Sequence, residues 1–378
     1  MHHFMSTYIA TPAEGHSGAE DMDGLRKSID AIDEQILDLI CTRLDTARKI
    51  GAIKARNDGP VFDSAREALL LSRLNRLNRG PLSTGALHHI FKEIIAASRE
   101  IQKPVVVAYL GPEGTFTHLA TLNHFGRGVQ TASLARIRDI FAGVDKELYP
   151  FGVVPVENSI EGPVNSTLDQ FWESEVQICS EIYQTISHEL LSAAETIDDI
   201  DVLYSHSHAF AQCREWIDRH LPNCRLEPCE STALAAQKAL ENPRSGAIAS
   251  KEAARIFQIP VVASRIEDST RNTTRFLVIG KKMPGRTGQD KTSLLFATHH
   301  VPGALYKVLK PINDAGLNMV KLESRPSRHE NWSYHFFVDI EGHIEDSPVQ
   351  QAVEEMKQAC MMLKCLGSYP RSEELIAP

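Results

Sequence analysis

The chain has no cysteine pairing pattern, no excess of positive charge and no long apolar run, and each gap closes off a class of protein. Its seven cysteines, Cys41, Cys179, Cys213, Cys224, Cys229, Cys360 and Cys365, are scattered, without a Cys-x-x-Cys pair or a Cys/His array. That favours reduced thiols in a cytoplasmic protein over a disulfide framework or a zinc site, so no metal is expected. Lysine and arginine number 40 against 49 aspartates and glutamates, which argues against the basic stripe of a nucleic-acid surface. No apolar stretch approaches the ~20 residues of a membrane-spanning helix, so no membrane partner is expected. Residues 1–20 have neither a basic start nor a long apolar core and read as a disordered tail, not a secretory signal. Neither the dinucleotide fingerprint nor the phosphate-loop signature occurs, and no cofactor is implied. What is present is length: 378 residues predict two or three domains.

From Met22 to about Asn57 there is one proline-free helical pattern. Leu25, Ile29, Ile32, Ile36, Leu39, Arg43, Ala47, Ile50 and Lys54 fall on one stripe. The Asp58-Gly59-Pro60 turn ends it, Asp63 or Ser64 starts a second helix to about Arg79, and Ser83 or Thr84 opens a third that runs to Gln102. Residues 21–103 thus predict an all-α domain. Arg43 and Lys54 interrupt the apolar stripe, nearly on one face and roughly 16 Å apart at ~1.5 Å per residue. They either pair with Asp63 and Glu67 to fix register or bracket a small dicarboxylate. Asp63, Arg66 and Glu67 share a face of the second helix, and Ser98 and Gln102 form an i, i+4 pair on the third.

After Lys103-Pro104 the pattern changes to short strands alternating with helices, an α/β architecture with a mostly parallel sheet over 105–280. The strands end in polar residues. Val105–Leu110 gives way to Gly111-Pro112-Glu113-Gly114-Thr115, a plausible anion site at a helix start. Phe151–Val156 ends at Glu157-Asn158-Ser159, Asp201–Tyr204 at Ser205 with Gln212 on the next helix, and Arg225–Cys229 at Glu230-Ser231-Thr232. Asn272-Thr273-Thr274-Arg275 leads into the strand Phe276–Ile279. Each is readable as a helix cap or edge residue; together they describe a cleft. His206 and His208 read as helix-entry residues. Residues 281–291, rich in Lys, Gly and Pro, read as a linker. Residues 292–371 then follow the βαββαβ order of an α+β ferredoxin-like domain.

These segments resemble known families. Leu25-Arg26-x-x-Ile29-x-x-Ile32-Asp33 with Arg43, Lys54, Asp63-x-x-Arg66-Glu67 and Ser98-x-x-x-Gln102 resembles the all-helical chorismate mutases. The resemblance implies a site lined by Arg26, Arg43, Lys54, Asp63, Arg66, Glu67, Ser98 and Gln102, with Lys54 and Gln102 donating to the breaking ether oxygen. Arg26 lies roughly 25 Å from Arg43 along one helix, so a second copy must supply it, and an intertwined homodimer is expected. Val-Pro-Val-Glu157-Asn158-Ser159, Gly111-Pro-x-Gly114-Thr115 and Thr274-Arg275-Phe276 resemble prephenate dehydratase, which implies two α/β lobes like a periplasmic binding protein's clamshell. The boundaries are expected near Ile182 and Arg265. Thr274 would then serve the departing hydroxyl, with Glu157 as a candidate acid raised by burial. Thr115, Asn158, Ser205, Gln212, Ser231, Thr232 and Arg275 would hold prephenate. Gly303-Ala304-Leu305 and Glu323-Ser324-Arg325-Pro326 resemble the phenylalanine-binding ACT domains of these enzymes. Together they imply a bifunctional chorismate mutase–prephenate dehydratase of phenylalanine biosynthesis, under feedback by phenylalanine. The alternatives are a non-catalytic metabolite sensor and a dehydratase preferring arogenate.

Overall fold

The computed structural model describes residues 22–57, 62–326 and 334–372. The expected tail at 1–20 and the Asp58-Gly59-Pro60 turn lie outside the described residues. Helix α1 (Met22–Arg56) opens with Asp23 and closes with Lys54 and Arg56, charges that oppose the helix dipole at each end. Helix α2 (Ser64–Leu77) is capped by Asp63, which accepts from the Arg66 N–H, and α3 (Thr84–Gln102) by Ser83, which accepts from Ala86 N–H. Both α1 and α2 pack on α3. The helical unit is fastened to the α/β region after it. Phe62 enters an aromatic cluster with Phe125 and Phe151, each ring centroid 5.0 Å away, and Ser64 Oγ donates to the Cys179 carbonyl at 2.7 Å.

Two lobes come next. The first holds β1 (Val106–Leu110), α4 (Phe116–Phe125), β2 (Gln130–Leu134), α5 (Ile137–Asp145), β3 (Phe151–Asn158), β4 (Gly162–Pro163), α6 (Asn165–Glu173) and β5 (Gln177–Thr185). The second holds β6 (Glu189–Ser192), β7 (Val202–Ser205), α7 (Ser207–Gln212), α8 (Arg214–His220), β8 (Arg225–Pro228), α9 (Thr232–Ala239), β9 (Ser245–Ala249), α10 (Lys251–Phe257) and β10 (Val261–Ala263). Strand β11 (Thr273–Gly280) then returns to the first lobe, between β3 and β5. The sheets run β2-β1-β3-β11-β5 and β10-β6-β9-β7-β8. Pairing is parallel within β1–β3 and within β7–β9, and antiparallel wherever β11, β5, β6 and β10 take part. The expected mostly parallel sheet is therefore mixed, because the chain crosses between lobes by reversing direction at these strands.

The third unit comprises β12 (Asp290–Ala297), α11 (Ala304–Asp314), β13 (Met319–Pro326), β14 (Tyr334–Glu341), α12 (Ser347–Ala359) and β15 (Met362–Pro370). Its antiparallel sheet runs β13-β14-β12-β15. Alternation along β12 sends Leu294 and Phe296 to the two helices and Leu295 into the core of the first lobe. Asp290 and Lys291, expected in a linker, are buried residues of this strand. Gly367 lies so near β5 that a Cβ there would overlap the backbone of Ile178, so glycine is what lets the two sheets meet.

Candidate functional site

The two strands at the lobe junction extend past their apolar runs. Strand β3 continues through Glu157 and Asn158, β11 begins at Thr273, and the register pairs Thr274 with Asn158 and Arg275 with Glu157. Successive strand residues point to opposite faces. Thr274 and Asn158 share one face, and Glu157 and Arg275 share the other.

On the first face Asn158 Nδ2 donates to Thr274 Oγ1 at 2.9 Å and to Asn272 Oδ1 at 2.8 Å. Asn272 Nδ2 reaches Gln212 Oε1 at 2.9 Å, and Gln212 Nε2 reaches Glu161 Oε1 at 3.0 Å. Glu161 also pairs with His208 at 2.5 Å. These contacts join α7 of the second lobe to the β3 and β11 ends of the first. Nearby, Gly114 (φ +84°) presses against the start of α10: its carbonyl accepts from Ser250 Oγ at 2.7 Å, and a Cβ there would stand 3.3 Å from Ala253. Thr115 caps α4 through the His118 N–H, and Ser231 caps α9 through the Leu234 N–H, with Thr232 buried beside it. These hydroxyls thus cap helices as well as standing at the lobe margins. Thr274 is 8% exposed.

Arg275 and Glu157 require correction. Arg275 is 6% exposed and binds Glu181 at 2.9 Å, Asp339 of β14 at 2.7 Å and the Tyr369 hydroxyl at 2.9 Å. Burial works against its charge, but Asp339, Tyr369 and Glu181 raise its pKa well above the ordinary arginine value. Glu157 binds Lys321 of β13 at 2.5 Å. Both side chains face the third unit, so the expected carboxylate-binding and acid roles are unsupported. Ser205 is likewise spent: it is fully buried and donates to the Ile248 carbonyl at 2.7 Å.

In the helical unit Arg43 donates to Ser98 Oγ and to the Ile94 carbonyl. Gln102 Nε2 donates to the Ser98 carbonyl at 3.1 Å, and its buried Oε1 has no partner. The second hydrogen on Nε2 is left to donate to an ether oxygen. Lys54 is half-buried near the end of α1. Asp63 is the α2 cap, and Arg66 is exposed. Glu67 pairs at 2.5 Å with Arg99, whose guanidinium also reaches the Phe125 carbonyl at 2.5 Å. Burial raises the Glu67 pKa and Arg99 opposes the rise. Neither expected partner, Asp63 nor Glu67, neutralises Arg43. Arg26 pairs with Asp23 at the exposed far end of α1.

In the third unit Gly303 (φ +77°) and the buried Ala304 open α11, with Leu305 packed on its core. Glu323, Ser324, Arg325 and Pro326 close β13, an edge strand parallel to β12 through β14. Both segments therefore lie at one end of the sheet. Arg325 reaches Asp169 of α6 at 3.3 Å, and Trp172 of α6 stacks on His335. A cavity of about 410 Å³ between Arg286, Leu317, Gly342 and the start of α12 is lined by none of the residues above. Among the described residues no cluster of His, Cys, Asp and Glu could hold a metal, and no helix is long and apolar enough to cross a membrane.

Sequence reasoning missed Arg99, Glu181, Asp339 and His188, and quoted Asn272 and Glu161 without assigning either a role. For Glu181, Asp339, Asn272 and Glu161 the one available signal, a carboxylate or amide in or beside a strand, is shared with ordinary edge residues, and Arg99 sits inside helix α3 like any other helical arginine.

The fold defines a class: a multidomain chain in which a helical unit precedes a two-lobed α/β unit and a ferredoxin-like one. Residues 25–103 match chorismate mutase type II, 107–284 match prephenate dehydratase and 292–358 match the ACT domain. The bifunctional chorismate mutase/prephenate dehydratase of Aquifex aeolicus is 46% identical over 357 residues, covering 93% of this chain and 99% of that protein. The protein of that name from Escherichia coli is 32% identical, covering 93% and 96%. A crystal structure of prephenate dehydratase from Arthrobacter aurescens in complex with L-Phe superposes with a TM-score of 0.67 at 32% identity, covering 72% of this chain and 92% of that one. The chain belongs to the bifunctional chorismate mutase/prephenate dehydratase family.

Proposed function

We propose that this chain rearranges chorismate to prephenate in its helical unit, converts prephenate to phenylpyruvate between the lobes, and is restrained by phenylalanine at the ACT domain. Three family matches in that order, on relatives covered almost end to end, favour this over a non-catalytic sensor. The first reaction is intramolecular and transfers no proton, so a cage that holds the folded conformer and meets the developing charge suffices. Arg43, set by Ser98, grips a carboxylate, while Lys54 and Gln102 face the breaking ether bond. Asp63 and Glu67 hold α2 and α3 in place. Arg26 enters from a second copy: Leu25, Ile29, Ile32 and Ile36 are all exposed on α1, an apolar stripe that a homodimer covers. Consumption of small metabolites with seven free cysteines supports a cytoplasmic location.

In the second reaction the ring carboxylate leaves as carbon dioxide, its bonding electrons complete the aromatic ring, and the ring hydroxyl departs and is protonated to water. The carrying observation is the bond from Asn158 to Thr274 Oγ1. It occupies that oxygen as an acceptor and leaves the Thr274 O–H to donate to the departing hydroxyl. Ser231 and Thr232, with the N-termini of α4 and α9, hold carboxylates at the lobe margins, while the Thr115 hydroxyl is spent on the Pro112 carbonyl at 2.9 Å. Gln212 clasps the lobes. Thr274→Val keeps the shape and removes the donor; phenylpyruvate formation should fall about 100-fold or more while chorismate consumption stays normal. Undiminished phenylpyruvate formation would overturn this assignment.

A further inference from the structure

Asn158 ends β3, and its side-chain amide can be followed bond by bond. One amide atom meets the N–H groups of Ile160 and Glu161 at 2.9 and 3.0 Å. Those groups only donate, so that atom is the oxygen and the other is the nitrogen. The nitrogen donates to Thr274 Oγ1 at 2.9 Å and to Asn272 Oδ1 at 2.8 Å. A primary amide offers two hydrogens and two lone pairs. All four are taken within the protein, so Asn158 has nothing left with which to hold prephenate, the role expected of it from the sequence. Among the described residues nothing accepts the hydrogen of Thr274 itself.

The turn that fixes the amide is sewn to β11. Ser159 N–H donates to the Thr273 carbonyl at 2.9 Å, the Thr273 N–H donates to Ser159 Oγ at 3.0 Å, and that hydroxyl donates to the Arg271 carbonyl at 2.9 Å. Gly162, at φ +82°, turns the chain back so that it pairs with Asn158. The two N–H groups that set the Asn158 amide thus come from its own turn, and none comes from the second lobe.

We propose that Asn158 is a positioning residue of the dehydratase reaction and not a ligand of prephenate. The Ile160–Glu161 turn fixes its amide, and the amide commits Thr274 Oγ1 as an acceptor, which leaves the hydroxyl hydrogen for the departing group. The inference rests on the reading of Thr274 as that donor. Because the first lobe holds every bond in this arrangement, the donor is aimed before the substrate arrives. Such preorganisation is what makes a hydrogen bond count in the transition state.

A double-mutant cycle tests this. Asn158→Asp keeps the size of the side chain and the oxygen that holds the turn, but puts a second acceptor where the nitrogen was. Thr274 must then turn its hydrogen onto the new carboxylate and away from the substrate. Dehydratase kcat at saturating prephenate is expected to fall about 10- to 100-fold. The same loss is expected in a Thr274→Ser chain, which keeps a hydroxyl to misdirect. In a Thr274→Val chain, which has none, adding Asn158→Asp should cost no more than about threefold. Assays at raised enzyme concentration, able to follow a total loss of about 10⁴-fold, read the whole cycle. A double variant that keeps the residual rate of Thr274→Val also shows that Asn158→Asp leaves the lobes folded. Losses that multiply in the Thr274→Val chain would mean that Asn158 acts on prephenate itself, and they would overturn the proposal. An unchanged kcat in Asn158→Asp alone would overturn it as well. If Thr274→Val leaves turnover intact, it is the reading of Thr274 that fails.

Discussion

The Arg275 network invites a quantitative test. Two cations, Arg275 and Lys291, face two carboxylates, Glu181 and Asp339, with Tyr369 and Ser293 filling remaining bonds. The charges balance, and the side chains of all four are at most 9% exposed. Asp339→Leu leaves two cations on one carboxylate in a site closed to water. Breaking a buried pair from one side costs about 3–5 kcal/mol, and a Coulomb estimate of about 4 kcal/mol for charges 4 Å apart at an effective dielectric of 20 agrees. Arg275→Met alone should cost a similar amount. The double variant leaves Glu181 and Lys291 matched and should cost no more than the worse single one. Urea unfolding at pH 7, followed by tryptophan fluorescence and circular dichroism, measures all three. Burial pushes the Asp339 pKa up, but Arg275, Ser293 and Lys291 outweigh it and hold the carboxyl below its usual range. A carboxyl whose folded pKa is depressed stabilises above its unfolded value, near ~3.9, and loses that contribution as pH falls through the folded value. The gap between parent and Asp339→Leu should accordingly be flat from pH 8 to 5 and narrow only below about 4. A single-variant cost under about 1 kcal/mol, or a double cost equal to the sum of the singles, would refute the reasoning.

Gly51→Ala should stabilise α1 by up to about 1 kcal/mol on helix propensity. Its Cβ, however, would stand 2.8–2.9 Å from the Cγ, Cα and Cβ of Gln102, so chorismate turnover should drop about tenfold or more while phenylpyruvate formation from prephenate persists; a more stable protein with a normal mutase rate would count against the packing. His124 has its pKa pushed well down by burial and then by Lys92 and Arg99, and burial also lowers those of His118, His188 and His206. Groups that bind fewer protons when folded lose stability as pH drops below their unfolded value of about 6.5. The urea midpoint should therefore fall between pH 7 and 5, and fall less steeply in His124→Leu.

The helical unit was legible because its signals are local. Three- and four-residue spacing, Asp63 and Ser83 as caps and the absence of proline over α1 bring the expected helix ends within about two residues of those observed. The ferredoxin-like order was legible for the same reason. Strand ends were less so. An apolar run marks a strand only where its neighbours are apolar, and β3 and β11 continue into Glu157, Asn158, Thr274 and Arg275, whose partners are polar. With the last strand residues taken as loop, the Thr-Arg pair seemed free to face one cleft together; inside a strand the two-residue period forbids it. Lys291 was hidden in the same way. A lysine after glycine and proline reads as linker, and only a carboxylate 110 positions away in the chain, Glu181, shows it to be buried. Ion pairs between domains carry no periodicity, so nothing in a single sequence announces them.

The same magnitudes constrain how the phenylalanine restraint proposed above would act on the cleft. Effector coupling is worth about 1–3 kcal/mol in most proteins. Leaving either Asp339 or Arg275 buried without the other costs about 3–5 kcal/mol. An effector that opened this network while its charges stayed buried would have to exceed the usual coupling range, so a network closed in both the active and the restrained state is the expected arrangement. Arg275 is the strand neighbour of Thr274, and it is held from the ACT sheet through Asp339 and Tyr369. Strand β11 and the ACT sheet therefore move together or not at all. What remains free to change is the junction opposite, where Gln212, His208 and Glu161 bind across the lobes by contacts that are partly exposed and individually weaker. Regulation of this chain is accordingly expected as a shift in lobe closure against a fixed β11, and not as a rupture of the buried pair beneath it.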